Sequence, residues 1–253
     1  MRLTPGSAIA QAMSSNKHLR QADLEIRRAQ IRLFWEGRLD NPQLEVAAAA
    51  DSLGRADGES LMEIALVQEF PLTSRLRDAK ELRRIEVALA EAEVAQRRRL
   101  LAHEVRKLCV EVAAADGRSG LFRRLVELNS QIADFLEDAV GRGEASPLDV
   151  AGTRIAGKAL ERGVKLASAE KDQWLAKLRP LLGLSATTDL KIDAGLNLPG
   201  SAPTTSMPRP QVLARRPDYQ AALIKADVAK AELALAKAEG LEDVAFKLFA
   251  ERE

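Results

Sequence analysis

Aromatic side chains make up only 4% of the 253 residues, although 46% of the chain counts as hydrophobic. Alanine and leucine supply the difference. Together with abundant Glu, Lys and Arg they favour long helices that approach one another closely, whereas a thick globular core needs more large side chains. An excess of one charge is also missing, since 38 basic residues face 37 acidic ones. The charges are interspersed along helical stretches, so no field gathers nucleic acid and none is expected as a partner. The single cysteine, Cys109, excludes an intrachain disulfide and a multi-cysteine metal site, and reads as a small core residue on a helix.

Two histidines, His18 and His103, lie in charged helical patterns without a partner at metal-motif spacing, so neither metal nor cofactor is expected. Catalytic signatures are missing too: there is no P-loop and no nucleophile elbow. Gly141-Arg142-Gly143 imitates the start of a dinucleotide loop, but it follows a helix and lacks the third glycine. The run Arg97-Arg98-Arg99 has Glu91, Glu93 and Glu104 within two turns and reads as a solvated, ion-paired face. No stretch reaches the roughly 18 apolar residues of a membrane-spanning helix. Met1 to Gln30 has no signal-peptide core, so an exported protein would have had its leader removed. A membrane role would have to come through strands, whose apolar residues alternate one by one.

What is present is a sequence of long periodic segments divided by turn chemistry. A first helix opens at Thr4-Pro5, a cap followed by a first-turn proline, and runs through Leu19, Leu24 and Ile31 to about Gly37, so that residues 1–40 form an N-terminal helix. Asn41-Pro42 stops it. Residues 41–74 then change texture. Leu44 and Val46 alternate with Gln43 and Glu45, and after a polar loop from Ser52 to Ser60, Met62, Ile64, Leu66 and Phe70 share a face opposite Glu63, Ala65, Val67 and Glu69. Two strands joined by a loop are predicted.

From Leu76 to about Arg142 there is no proline, and one continuous helix there would be roughly 100 Å long; Gly117 and Gly120 mark the place where it could bend or break. Gly141 to Asp149 is a turn in which Ser146 caps a new helix, Pro147 begins it and Asp149 supports its positive end. That helix runs to about Leu182, roughly 54 Å, and stops at Gly183. Residues 75–182 should therefore fold as a long antiparallel helical hairpin with its tip at 141–149. Residues 183–209 read as a linker with one strand-like alternation at Leu190, Ile192 and Ala194, and 210–253 as helical, with a narrow stripe of Ala222, Ala226, Ala229, Leu233 and Ala236. The fold class is mainly α, with a small two-stranded β element.

Three patterns, taken in order, carry a resemblance: Asn41-Pro42-Gln43-Leu44 leading into a strand; Gly143-Glu144-Ala145-Ser146-Pro147-Leu148-Asp149-Val150 with Arg154 following; and Leu213-Ala214-Arg215-Arg216-Pro217-Asp218-Tyr219-Gln220. With these helix lengths between them, the chain resembles the TolC-like outer membrane efflux protein family. The resemblance implies a homotrimer, with a β-barrel through outer-membrane lipid and an α-barrel tunnel extending into the periplasm, working with a periplasmic adaptor protein and an inner-membrane pump. It implies that residues 41–74 belong to the barrel and that 210–253 open a second repeat. Members carry two repeats and this sequence reaches the opening of the second, so the chain alone is expected to form no conducting pore. The resemblance also makes the tip residues Gly143, Glu144, Ala145, Ser146, Asp149 and Arg154 the candidate adaptor-docking site, with Arg154 pairing with Asp149 or with a neighbouring protomer to narrow the entrance. A soluble coiled-coil interaction module, such as a periplasmic adaptor hairpin, is the competing reading. The two separate at Leu44 to Phe70, where a channel requires strands.

Overall fold

The computed structural model describes residues 1–50, 60–195 and 209–252. In chain order the elements are β1 (Arg2–Leu3), α1 (Pro5–Ser15), α2 (Lys17–Trp35), β2 (Gln43–Ala50), β3 (Ser60–Phe70), α3 (Arg75–Gly141), α4 (Pro147–Leu181), β4 (Lys191–Ile192), α5 (Arg209–Ala214), α6 (Pro217–Ala238) and β5 (Val244–Arg252). Two compact units divide the chain: Met1–Gln21 with Arg97–Ser206, and Ala22–Gln96 with Met207–Glu253.

In the first unit, α1 is started by a reciprocal cap. The Ser7 amide donates to Thr4 Oγ1 at 3.3 Å and the Thr4 amide to Ser7 Oγ at 2.9 Å, with Pro5 in the first turn. The core is small-residue and aliphatic: Ala8 and Ala12 of α1, Val105, Leu108, Cys109 and Val112 of α3, and Leu175 and Leu178 of α4. Their spacings of three and four put one stripe of each helix inward, and the alanines let α1 lie close to its neighbours. Leu3, Leu182 and Leu190 close the end of this core, where β1 pairs in parallel with β4, Leu3 opposite Ile192. Beyond it, α3 and α4 run antiparallel. Lys171 meets Asp116 at 2.6 Å and Arg118 meets Glu170, both across the hairpin.

In the second unit, β2, β3 and β5 form an antiparallel sheet with β3 in the centre. Leu44 stands opposite Leu66, and Leu66 opposite Leu248. The end of the sheet is fastened by Thr73, whose hydroxyl donates to the Ala238 carbonyl at 2.8 Å, and by an ion pair between Arg75 and Asp243. Among the helices of this unit, Arg83 bonds Glu36 at 2.8 Å and Glu86 at 3.1 Å, and these two carboxylates, Glu36 foremost, raise its pKa further. Buried positions are mostly small, with Ala22, Ala92 and Ala221 beside Leu82 and Val94.

The mainly α architecture with its long helical hairpin is as expected, and three details differ. The sheet has three strands rather than two, because residues 244–252, within the segment that the sequence predicts to be helical, form β5. Val244, Phe246 and Leu248 alternate there with Ala245, Lys247 and Phe249, and nine residues are too short for the alternation to stand out without its partner strand. The N-terminal segment is two helices, interrupted at Asn16, where the backbone is extended. The last helix is likewise split, at Pro217. As the proline-free segment predicts, α3 passes through Gly117 and Gly120 as one helix of 67 residues. Two glycines cost about 2 kcal/mol in helix propensity, and the flanking buried Val112, Ala115 and Ser119 hold the helix in place. The polar loop expected from Ser52 to Ser60 lies almost wholly outside the described residues, as does most of the linker after Gly195.

Candidate functional site

The tip of the α3–α4 hairpin is built by two consecutive terminators. At the end of α3 the Gly143 amide donates to the Val140 carbonyl at 2.9 Å and the Glu144 amide to the Ala139 carbonyl at 2.9 Å, with Gly143 at φ +76°. This pair of bonds satisfies carbonyls the helix leaves open and requires a left-handed residue, which glycine supplies without strain. At the start of α4 the Leu148 amide donates to Ser146 Oγ at 3.2 Å, and the Ser146 amide donates to Asp149 Oδ2 at 3.3 Å. Pro147 opens the helix. The whole turn is exposed except for half-buried Ala145, and Arg142 pairs with Glu144 at 2.9 Å across it.

Gly143, Glu144, Ala145, Ser146 and Asp149 therefore lie together as one structural turn. Arg154 does not join them. Its Nε donates to Glu137 Oε1 at 3.0 Å, bridging α4 to α3 inside one chain. The carboxylate of Asp149 is taken up by the Ser146 amide, so the expected Arg154–Asp149 pair is replaced by an Arg154–Glu137 pair. Sequence reasoning missed Glu137 because seventeen residues and a reversal of direction separate the partners. It also missed an exposed apolar stripe near the tip: Leu128, Ile132 and Phe135 on α3, and Leu148 and Ile155 on α4, the last two exposed by 78% and 72%. Spacings of four, three and seven residues were the available signal.

The sheet is the second candidate element. One face carries Leu44, Val46, Ile64, Leu66, Phe246 and Leu248, all large and all exposed. On the other, Lys247 bridges Glu45 at 3.1 Å and Glu63 at 3.0 Å, tying three strands together through charge. An apolar face outward and a charged face on the opposite side is the pattern of a barrel strand that meets lipid on one side and water on the other. Among the described residues no helix is long and apolar enough to cross a membrane, and no cluster of three metal-ligating side chains occurs. His18 and His103 are exposed on helices and Cys109 is buried in the core, its thiol pKa raised by burial.

The comparisons agree with this geometry. Similar folds occur in CusC, in a structure describing transmembrane channel formation (TM-score 0.82, 18% identity, 98% of this chain and 60% of that one), and in the outer-membrane protein VceC from Vibrio cholerae (0.75, 18%, 98% and 62%). The CmeC outer membrane channel of Campylobacter jejuni is also similar (0.80, 14%, 98% and 56%). The chain thus spans about three-fifths of the length of these proteins. No curated protein sequence matches it significantly. The family model for outer membrane efflux proteins, however, matches residues 8–184, which include most of α1, all of α2, the two strands β2 and β3, and the complete hairpin, and the chain therefore belongs to the outer membrane efflux protein family.

Proposed function

We propose that this chain supplies much of one protomer of a trimeric outer-membrane channel, which exports small molecules or ions across the periplasm and outer membrane together with a periplasmic adaptor and an inner-membrane pump. The observation that carries this reading is the three-stranded sheet with six large, exposed apolar side chains on one face and the Glu45–Lys247–Glu63 cluster on the other face. A soluble interaction module gains nothing from leaving six large apolar side chains in water, whereas burial in lipid removes that cost. A closed barrel also satisfies the strand edges, since an open edge in lipid costs several kcal/mol per unpaired group.

In this reading the tip meets the adaptor. The turn residues Gly143, Glu144, Ala145, Ser146 and Asp149 fix its shape, and the stripe of Leu128, Ile132, Phe135, Leu148 and Ile155 provides apolar surface for neighbouring helices. Arg154 stiffens the hairpin through Glu137.

The test uses the chain completed with the second half of a solved relative such as CusC, so that a full-length protomer is assembled. Export of a dye or metal ion by cells lacking their own channel, and cross-linking to the adaptor, are measured with Glu144 and Ala145 replaced by bulky or oppositely charged residues. Lost export with intact trimers supports docking at the tip. Unchanged export and cross-linking would make the tip a structural turn only.

A further inference from the structure

The C-terminal end of α2 carries more exposed aromatic surface than its surroundings explain. Phe34 and Trp35 are 64% and 61% exposed and meet edge to face, with ring centroids 5.2 Å apart. After the left-handed turn at Gly37, Arg38 comes back over both rings, its guanidinium carbon 4.7 Å from the Phe34 centroid and 4.5 Å from that of Trp35. Contact with ring faces orders the cation without using its five N–H donors, and among the described residues Arg38 has no carboxylate partner. Leu39 and Leu72 add further exposed apolar surface.

The position of this cluster is defined by the sheet of the same unit. Gln68 Nε2 donates to the Asp40 carbonyl at 3.0 Å, which holds the segment after Arg38 against β3. Two residues further along β3, Phe70 packs edge to face on Phe246 at 5.6 Å, at the end of the apolar face formed by Leu44, Val46, Ile64 and Leu66. A lipid-facing band that ends in aromatic rings is the pattern of a membrane boundary, where rings sit at headgroup depth.

We infer that Phe34, Trp35 and Arg38 form a phospholipid headgroup site at the periplasmic boundary of the outer membrane, with the rings in the interface and the Arg38 guanidinium binding the lipid phosphate. The chemistry is that of an anchored cation with free donors meeting a phosphodiester, which accepts paired N–H bonds. A single arginine near an anionic surface contributes enough to enrich such lipids about fivefold around it. The inference rests on the reading of the sheet as membrane-spanning.

The experiment uses the completed channel reconstituted in vesicles. Trp174→Phe leaves Trp35 as the reporter within this chain, and tryptophans of the grafted half are replaced likewise. Lipids brominated near the headgroup should quench Trp35 more than lipids brominated at the chain end, and Arg38→Gln should raise about fivefold the fraction of headgroup-proximal brominated phosphatidylglycerol needed for half-maximal quenching. A second reporter, Leu44→Trp with Trp35→Phe, separates the two levels of the argument. Deep quenching at position 44 without quenching of Trp35 would overturn the headgroup site alone. No quenching at either position would remove the membrane reading beneath it. Inorganic phosphate that competes at millimolar concentration would make Arg38 a free-anion site and equally overturn the lipid assignment. The depth measurement on Trp35 itself needs no change at Arg38, so it holds even if Arg38→Gln folds poorly.

Discussion

The side-chain amide of Asn16 donates to the backbone carbonyl of Leu181 at 3.0 Å, joining the break between α1 and α2 to the last turn of α4. The same side chain uses its oxygen to accept from the Leu19 amide at 3.0 Å, so one nearly fully buried residue caps a helix and fastens a second one. Asn16→Ala removes both bonds and leaves two backbone groups without partners in a dry place. The expected loss is about 1–3 kcal/mol, read from urea unfolding, whereas Asn16→Asp keeps the cap and loses only the bond to Leu181. Equal stability of Asn16→Ala and the parent would refute the joint.

Gly183 and Gly143 share a left-handed backbone, at φ +69° and +76°, but differ in their surroundings. A Cβ at position 183 would lie 2.6 Å from the Ser15 carbonyl oxygen, while one at 143 meets nothing within 4 Å. Gly143→Ala is therefore expected to cost about 1–2 kcal/mol, the conformational penalty alone. Gly183→Ala should cost clearly more, because α1 must also move. Thermal melting of the two variants side by side checks the order.

The pair Arg154–Glu137 predicts that either partner can be removed with the same consequence. Both side chains are largely exposed, so Arg154→Ala and Glu137→Ala should each change stability by less than about 1 kcal/mol. If the completed channel becomes leaky with Arg154→Ala, Glu137→Ala should leak to a similar extent, and the exchange of the two residues should restore tightness. Leakage from the arginine variant alone would show that Arg154 reaches a partner beyond Glu137.

Cys109 is buried, and burial raises its thiol above the ordinary value of 9.0 because the thiolate is disfavoured in an apolar setting. A group whose folded pKa is raised contributes stability that is complete below the unfolded value and is lost as pH rises through the folded one. Stability should accordingly decline above about pH 9, and Cys109→Ser should flatten that decline. At pH 8 a thiol reagent should modify the folded chain slowly and the unfolded chain at once.

Much of this molecule was legible in single segments of sequence. Thr4-Pro5 and Ser146-Pro147 with Asp149 announce helix starts through side chains that act on backbone a few residues away, Gly183 announces a helix end through its ease with positive φ, and the structure shows each of them in that role. The alternation from Leu44 to Phe70 likewise specified two strands and their two unlike faces, because period two is a property of the strand itself. The turn from Gly143 to Asp149 was legible because glycine, serine and proline act on backbone within the segment itself.

The remainder depended on partners distant in the chain. β5 is a strand because β3 lies beside it, and β1 exists because Lys191 and Ile192 offer their backbone to residues 2 and 3. Asn16 looks like any helix residue until Leu181 is brought to it, and Arg154 has Asp149 or a neighbouring protomer as its expected partner until the antiparallel hairpin brings up Glu137 and the cap occupies Asp149. Composition, turns and periods are set by forces acting within a few residues, so the sequence by itself determined the long helices, the ends marked by Thr4, Ser146 and Gly183, and the strand faces. The third strand, the joint at Asn16 and the choice of ion-pair partner are decided by which groups the folded chain brings within hydrogen-bonding distance, and only the tertiary structure supplies that.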